Sequence, residues 1–240
     1  MFFKNKFLIS TCFLFIVLAG VGVIFANQSG IVIDFTFDEG NGTVVFDSSG
    51  YENDGNIHGA VWETENCISG NCLVFNESYI DVFQNPTLNP SDFTIEAWIY
   101  SFGGDYTNRT IINKDTTGAG TRSWRMHLEQ NDWLVADIAT GSYWSVPYST
   151  TKIENNTWYY VAATYNHSEF CVWINGIISG CVQETHDIDY HWSQSKLIIG
   201  MSEDSDNKQM EYFYGIIDEV KLYNYAKTGE EILQSYNEYT

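Results

Sequence analysis

The sequence predicts an all-β protein, an antiparallel two-sheet sandwich with one short C-terminal helix. Short runs of alternating apolar and polar residues, such as Ile31–Phe37 and Phe93–Tyr100, follow one another along most of the chain. Gly, Asn and Asp separate these runs and favour turns between them. The one helical pattern is Thr228–Tyr236, where Thr228 and Glu231 have the spacing of a capping box. Many short strands and few helices are typical of a sandwich.

The predicted strands follow one another without a linker or an internal repeat. Trp158–Tyr165 carries apolar side chains on both faces, which predicts a central strand. Asn175-Gly176 separates two apolar runs and predicts a hairpin turn. In chain order, the predicted strands are Ile31–Phe37, Thr43–Asp47, Leu73–Asn76, Tyr79–Phe83, Phe93–Tyr100, Arg109–Asn113, Trp124–Leu128, Trp133–Ile138, Trp158–Tyr165, Phe170–Ile174, Ile177–Val182, Lys196–Gly200 and Phe213–Tyr223.

The last predicted strand carries an acidic residue on its apolar face. With a period of two, Asp218 shares a face with Ile216, Val220 and Leu222, while Glu219 lies on the other. An ionised carboxylate that faces a core is costly unless a cation or several donors meet it. Asp218 is therefore either a buried residue bonded to backbone N–H groups or part of a metal site.

Size and composition indicate one folded domain. The chain has 240 residues, of which 44% are hydrophobic and 16% aromatic, enough to bury a core and too many for a disordered chain. The net charge of -20 argues against nucleic acid or an anionic membrane as a partner.

The N-terminus has the features of an export signal. Lys4 and Lys6 precede an uncharged apolar stretch from Phe7 to Ala26, so residues 1–26 are predicted to be a signal peptide. The apolar run of about 20 residues is also long enough to remain as an N-terminal membrane anchor. With either alternative, the domain at residues 30–237 lies outside the cell, secreted or at the cell surface.

Cysteine usage agrees with an oxidising compartment. Cys12 belongs to the predicted signal, and the other four cysteines allow three pairings. Zinc is the alternative for four cysteines, but no CxxC spacing occurs. The favoured pairing is local, Cys67 with Cys72 and Cys171 with Cys181.

The predicted hairpin bears on the second pair. A plain two-residue turn at Asn175-Gly176 places Cys171 opposite Gly180, whereas a three-residue loop with a bulge places it opposite Cys181. Glycosylation sequons are also dense and fit an exposed, secreted glycoprotein. They begin at Asn27, Asn41, Asn76, Asn108, Asn155 and Asn166.

Several blocks of sequence occur in a recognisable order over about residues 31–236. They include Phe37-Asp38-Glu39-Gly40, Asp47-Ser48-Ser49-Gly50, Asn53-Asp54-Gly55, Phe93-Thr94-Ile95-Glu96-Ala97-Trp98-Ile99, Ile111-Ile112-Asn113-Lys114, Thr157-Trp158-Tyr159-Tyr160-Val161-Ala162, Leu197-Ile198-Ile199-Gly200 and Gly215-Ile216-Ile217-Asp218-Glu219-Val220. The order resembles laminin G-like, concanavalin A-like jelly rolls. The resemblance implies two stacked antiparallel sheets, an extracellular module, and a role in carbohydrate binding or adhesion.

The resemblance also implies a structural calcium ion, since similar domains often bind calcium between the early loop and the late Asp-Glu strand. Transferred to this sequence, the ligands are Asp47, Asn53 and Asp218, whose oxygens suit the flexible shell of calcium. The alternative for the early loop is an Asx turn without an ion.

Aromatic residues in predicted loops are the candidate contacts for a sugar. Sugar sites combine aromatic faces with polar groups, and loops generally carry them. Most of the eight Trp must instead be core or strand residues, so each assignment competes with burial. The candidates are Tyr143, Trp144, Trp124 with the flanking Arg122, and Tyr106.

The sequence lacks the carboxylate pattern of a glycosidase of this architecture. Two carboxylates must lie across a cleft, and no E-x-D-x-E run supplies them from one strand, because Glu96 stands alone in its strand. The prediction is therefore a non-catalytic extracellular module, calcium-stabilised, that recognises carbohydrate or a glycosylated partner. The alternatives are a structural cell-surface or envelope protein without a soluble ligand and, less favoured, a divergent glycosidase.

Overall fold

Two antiparallel β-sheets pack face to face in the computed structural model. The structure describes residues 30–104, 107–115, 122–141, 143–190, 196–203 and 209–240. Within these ranges, the side chains of Asp115 and Arg122 are not described. The predicted two-sheet sandwich with a single short C-terminal helix is confirmed. The predicted signal or anchor, residues 1–26, lies outside the described residues. Within them, no helix is long and apolar enough to cross a membrane.

The chain crosses between the two sheets several times. The first sheet has the order β15-β14-β13-β7-β19-β5-β4, with β1 also paired to β19, and the second has the order β11-β10-β9-β8-β16-β6-β3-β2, with β12 paired to β10. β17 and β18 form a separate two-stranded sheet. The strands are β1 (Ile31–Phe35), β2 (Val44–Val45), β3 (Gly55–His58), β4 (Val61–Glu63), β5 (Cys72–Phe75), β6 (Tyr79–Val82), β7 (Phe93–Ser101), β8 (Arg109–Asp115), β9 (Arg122–Leu128), β10 (Trp133–Ala139), β11 (Trp144–Ser145), β12 (Tyr148–Lys152), β13 (Trp158–Tyr165), β14 (Glu169–Ile174), β15 (Ile177–Gln183), β16 (Leu197–Ile199), β17 (Ser202–Glu203), β18 (Gln209–Met210) and β19 (Gly215–Tyr223). A 3-10 helix, Pro86–Leu88, links β6 to β7, and α1 (Gly229–Asn237) follows β19.

The core lies between the sheets and is rich in aromatic side chains. Side chains that alternate along each strand point inward, and those of β7, β13 and β19 contribute most of the first sheet's share. The fully buried aromatic residues of this core are Phe35, Phe37, Phe75, Phe93, Trp124, Tyr165, Phe170 and Phe213.

Six strands are absent from the sequence-based assignment: β17 and β18, which pair only with each other, and four strands at or near the sheet edges. These four strands, β3, β4, β11 and β12, are two to five residues long, and most of their side chains are half-buried or exposed. An edge strand with few buried side chains shows little hydrophobic alternation, so its existence depends on pairing with a neighbour.

The helix α1 covers the outer face of the first sheet. Thr228 and Glu231 form the predicted capping box, and Ile232 packs on Trp98 and Tyr160. Beneath the helix, Glu96 forms an ion pair of 2.6 Å with Lys227. Glu96 therefore stabilises the docking of α1.

A β-bulge in β19 changes which side chains face the core. Glu219 has a φ of 50°, and the pairing of β19 with β7 shifts between Asp218 and Lys221. Val220 faces the core, but Asp218 lies opposite Trp98 of the outer cluster, and residues directly opposite each other share a face. The prediction that Asp218 shares the apolar face with Val220 is wrong, because a period of two does not continue through a bulge.

Both disulfides join the predicted local pairs, Cys67–Cys72 and Cys171–Cys181. The route to the second pair differs from the expectation. The turn is the plain two-residue one, with Ile174 opposite Ile177, and a bulge farther along the hairpin brings Cys171 opposite Cys181. The hairpin therefore combines the tight turn and the bulge that the sequence offered as parts of separate alternatives.

Candidate functional site

A cleft opens at one end of the sandwich, where three connections meet. The β5–β6 and β7–β8 connections cross between the sheets, and the β18–β19 connection leads into the first sheet. The cleft has a volume of about 640 Å³, within the range of about 300–1,000 Å³ typical of small-molecule sites. We call it the crossover cleft. It is lined by Asn76, Glu77, Phe102, Gly103, Gly104, Thr107, Arg109, Glu211, Tyr212 and Tyr214.

Two exposed aromatic rings form one wall of the crossover cleft. Phe102 and Tyr214 are 41% and 42% exposed, and their ring centroids lie 6.0 Å apart in an edge-to-face arrangement. The N–H of Phe102 donates to the carbonyl of Tyr214 at 2.9 Å, so the backbone holds the pair together. Gly215 permits this approach, because a Cβ there would lie 2.1 Å from the carbonyl oxygen of Tyr100.

Arg109 forms part of the polar floor of the crossover cleft. It is 3% exposed, and its guanidinium donates to Ser101 Oγ at 2.8 Å and forms an ion pair with Asp132. Ser101 ends β7 and Asp132 precedes β10, so this one side chain connects the two sheets. The guanidinium thus forms an ion pair and hydrogen bonds within the protein, without a ligand.

Glu211 forms the rest of the floor. Its carboxylate accepts from Asn108 Nδ2 at 3.2 Å and Ser202 Oγ at 3.0 Å, and it pairs with Arg125. Arg125 is 5% exposed and also donates to Asp137 at 2.9 Å. Glu211, Arg125 and Asp137 therefore form a connected ionic network, and Arg109 with Asp132 forms a second ion pair beside it.

Tyr212 places a hydroxyl at the rim. Burial, with the nearby charge of Glu77 as a smaller cause, raises the pKa of Tyr212, so its phenol is neutral at physiological pH. The hydroxyl donates to Gln209 at 2.6 Å and can still accept. Aromatic faces beside fixed polar groups suit a polyhydroxylated ligand, whose C–H surfaces are apolar and whose hydroxyls both donate and accept.

One predicted ligand residue belongs to the core. Trp124 is fully buried, and its ring lies 5.8 Å from that of Phe93. The prediction that Trp124 contacts a ligand is wrong, because β9 directs this residue toward the opposite sheet. The neighbouring Arg122 begins β9, but its side chain is not described.

Two other predicted ligand residues, Tyr143 and Trp144, lie away from the crossover cleft. Tyr143 and Trp144 are 57% and 43% exposed, beside the end of β10 that is remote from the crossover cleft. Tyr143 contacts His186 edge to face at 5.6 Å. Tyr106 lies outside the described residues, between Gly104 and Thr107 in sequence.

Phe102 and Tyr214 are not among the ligand residues predicted from the sequence, although the sequence contains a signal for them. Phe102 precedes Gly103-Gly104, and Tyr214 precedes Gly215. An aromatic residue next to Gly at a strand end is where a close backbone approach can leave a ring exposed. The pairing of β7 with β19 brings these two positions together, with Gly215 opposite Ser101.

In the early loop of the calcium hypothesis, protein donors surround the carboxylate of Asp47, whereas Asn53 Oδ1 is buried without a partner among the described residues. Asp47 accepts the N–H groups of Asp34, Ser49 and Asn53, each at 3.0 Å, and Ser49 Oγ at 2.7 Å. The side chain of Asn53 donates to the carbonyl of Val32 at 2.7 Å. These contacts form the Asx-type loop that the sequence offers as the alternative to an ion.

Asp218 has a separate set of partners. Its carboxylate accepts the N–H groups of Ile68 at 2.9 Å, Ser69 at 3.3 Å and Glu219 at 2.9 Å. Burial raises the pKa of Asp218 to about 7, while the backbone donors oppose that rise.

Asp47, Asn53 and Asp218 do not fit one calcium site in this arrangement. Asp47 lies along the edge of β1 that does not pair with β19, whereas Asp218 lies on β19. N–H donors already occupy both carboxylates. In the described part of the chain, no group of three or more His, Cys, Asp or Glu is arranged to hold a metal ion. Calcium stays a prediction from the resemblance.

Known structures share this fold at low sequence identity. The binding domain of a paraclostridial mosquitocidal protein superposes with a TM-score of 0.70 and 18% identity, covering 88% of this chain and 52% of that one. Domain 4 of the extracellular arabinanase AbnA from Geobacillus stearothermophilus, solved with arabinotriose, gives 0.67 and 18%, covering 86% and 98%. The binding domain of botulinum neurotoxin DC, solved with SialylT, gives 0.66 and 16%, covering 89% and 52%.

These similarities establish the fold, and the chain spans about half the length of the toxin binding domains. No curated protein matches the chain. A family profile described as the concanavalin A-like lectin/glucanases superfamily, of laminin G type, matches residues 76–233. Because the profile covers more than half of the sequence, the chain belongs to the laminin G-like family of the concanavalin A-like lectin/glucanase superfamily.

Proposed function

We propose that this protein is a non-catalytic carbohydrate-binding module that acts outside the cell and binds its ligand in the crossover cleft. One observation carries the proposal: the exposed Phe102–Tyr214 pair lies beside a buried polar floor whose ion pairs are already formed. Exposure of two adjacent aromatic rings to water is unfavourable, and a ligand that covers them removes this cost. Polar groups that are already held in place reduce the loss of conformational entropy on binding.

The comparisons support this proposal at a coarser level. The arabinanase domain was solved with arabinotriose and the botulinum binding domain with SialylT, so similar sandwiches bind saccharides of different kinds. Fold alone does not decide function, and the proposal therefore rests on the cleft. Two disulfides and the laminin G-type family are consistent with an extracellular module.

The proposal is tested by glycan-array screening followed by titration calorimetry. Phe102→Ala and Tyr214→Ala are each expected to weaken binding at least tenfold, because each removes an aromatic face that would stack on the sugar. Tyr143→Ala at the remote end serves as the matched control and is expected to leave affinity unchanged.

Other outcomes would contradict the assignment. Loss of binding in Tyr143→Ala or Trp144→Ala alone would move the site to the remote rim that the sequence predicts. If folded wild-type protein bound no glycan on the array, the result would favour the alternative of a structural cell-surface protein. Hydrolysis of the bound glycan, measured by release of reducing ends, would contradict a non-catalytic role.

Calcium is tested in the same measurements. Binding and melting temperature are compared in calcium and in a chelator, with Asp47→Asn as the variant. The resemblance predicts a calcium-dependent rise in melting temperature that Asp47→Asn removes. An identical melting temperature in both buffers would contradict the calcium prediction and leave the carbohydrate proposal intact.

A further inference from the structure

We propose that the crossover cleft selects uncharged or amine-bearing saccharides and rejects saccharides that carry carboxylate or sulfate groups. This inference rests on the proposed carbohydrate function and names its ligand class. It follows from the charges around the cleft rather than from the similar structures, one of which was solved with SialylT.

The two arginines at the cleft already form ion pairs within the protein. Arg109 donates to Ser101 and to the backbone carbonyl of Glu129, and it pairs with Asp132. Both hydrogen bonds of Nη2 are therefore made within the protein, and the charge of the guanidinium is matched by one carboxylate. An anionic sugar would have to displace one of these partners to form a bidentate contact with this guanidinium.

The second cation near the cleft is Arg125, which forms ion pairs with two carboxylates. Arg125 lies between Asp137 and Glu211, at 2.8 Å from Asp137, so one guanidinium faces two carboxylates. The imidazole of His127 also lies 3.5 Å from Asp137. Arg125 is also 5% exposed and lies behind Glu211, the residue that lines the cleft. A ligand in the cleft meets the carboxylate before the guanidinium.

The rim adds another negative charge. Glu77 is exposed in the β5–β6 turn, lines the cleft and lies near enough to Tyr212 to raise its pKa. Within the described residues, no ion pair involves Glu77. Around the cleft, two guanidinium groups thus face the four carboxylates of Asp132, Asp137, Glu211 and Glu77.

The whole molecule reinforces this local field. The net charge of -20 repels anions before contact, and the repulsion is screened beyond about 10 Å at 0.1 M salt. Hydroxyl groups of a neutral sugar can donate to Glu77 and Glu211, and an ammonium group can pair with them. A ligand carboxylate or sulfate finds no uncommitted cation among the described lining residues.

Matched saccharide pairs test the inference by titration calorimetry in 20 mM and 300 mM NaCl. The pairs are lactose with 3′-sialyllactose, galactotriose with trigalacturonate, and N-acetylchitotriose with its deacetylated trimer. The protein is produced in a host that adds no N-glycans, because the sequons at Asn76 and Asn108 border the cleft. In 20 mM NaCl, 3′-sialyllactose and trigalacturonate are each expected to bind at least tenfold more weakly than their neutral partners, and the deacetylated trimer at least as tightly as N-acetylchitotriose. These differences are expected to shrink in 300 mM NaCl.

Substitution of Glu77, the charged residue at the rim of the cleft, gives the most specific test of the selectivity. Glu77→Gln is expected to reduce the discrimination, measured as the ratio of neutral to anionic affinity within a pair, at least threefold. Glu230→Gln, the same charge change on the exposed first turn of α1, is the matched control and is expected to change nothing.

The outcomes separate the two proposals. Failure of every saccharide to bind folded protein contradicts the carbohydrate function itself. Binding of neutral members with equal or tighter binding of anionic members contradicts only the selectivity. Unchanged discrimination in Glu77→Gln likewise overturns the assignment of the rim charge.

Discussion

At the residue scale, the buried carboxyl of Asp218 makes stability depend on pH. It is fully buried beneath the Cys67–Cys72 loop and accepts N–H groups from Ile68 and Ser69. Burial raises its pKa from 3.8 to about 7. The folded state binds the proton more tightly than the unfolded chain, so stability is fully present below about pH 4 and is lost as the pH rises through about 7.

Asp218→Asn is expected to remove this pH dependence. A pKa that rises from 3.8 to about 7 on folding costs up to about 4 kcal/mol once the group is ionised. The Asn amide is neutral throughout, although its NH₂ group meets one backbone N–H and loses that hydrogen bond, which costs about 1–2 kcal/mol.

Urea denaturation between pH 5 and pH 8 checks this expectation. The free energy of unfolding of the wild type should fall more steeply with pH than that of Asp218→Asn. Glu230→Gln, on the exposed first turn of α1, should keep the wild-type slope. Equal slopes in wild type and Asp218→Asn would show that the carboxyl is ionised at no cost.

At the element scale, the β14–β15 hairpin is shaped by a close contact with β12. Ser179 Oγ in β15 accepts the N–H of Thr150 at 3.1 Å, which connects the edges of the two sheets. Next to it, a Cβ on Gly180 would lie 2.0 Å from the carbonyl oxygen of Tyr148. Gly180 thus allows one edge strand to approach the other.

Gly180→Ala is expected to destabilise the protein by about 2–3 kcal/mol, because a backbone oxygen cannot move aside as a side chain can. Gly141→Ala is the control: Gly141 has a φ of 74°, but a Cβ there would meet nothing within 4 Å. Its cost should be about 1 kcal/mol from backbone conformation alone. Thermal denaturation measures both variants, and equal losses would contradict the steric explanation.

At the scale of the whole molecule, several buried ionisable groups favour mildly acidic conditions. Burial raises the pKa values of Asp34 and Glu219 as well as that of Asp218. The pKa of His167 is raised by hydrogen bonds to Asp92 and then Asp187. Each of these groups contributes stability that is lost as the pH rises. The net charge of -20 acts in the same direction, because protonation relieves repulsion.

The melting temperature is therefore expected to be several degrees higher at pH 5.5 than at pH 8. Differential scanning calorimetry at low salt and at 0.5 M NaCl separates the two causes. Salt screens the general repulsion but acts much less on buried groups, so a dependence on pH should persist at 0.5 M NaCl. A melting temperature that increases with pH would contradict the buried-acid explanation.

Local sequence patterns were sufficient for the class of fold, most of the strands, the hairpin turn, the capped helix and both cysteine pairs. Each depends on residues close together in the chain: alternation within a strand, Asn175-Gly176 at a turn, Thr228 and Glu231 at a helix start, or cysteines five and ten residues apart.

Contacts between remote strands decided the rest. The bulge at Glu219 turned Asp218 to the outer face, Trp124 entered the core, and the pairing of β7 with β19 placed Phe102 beside Tyr214. No local pattern encodes these outcomes, because register, bulges and the meeting of connections arise only when strands far apart in sequence pair and the two sheets close over one core.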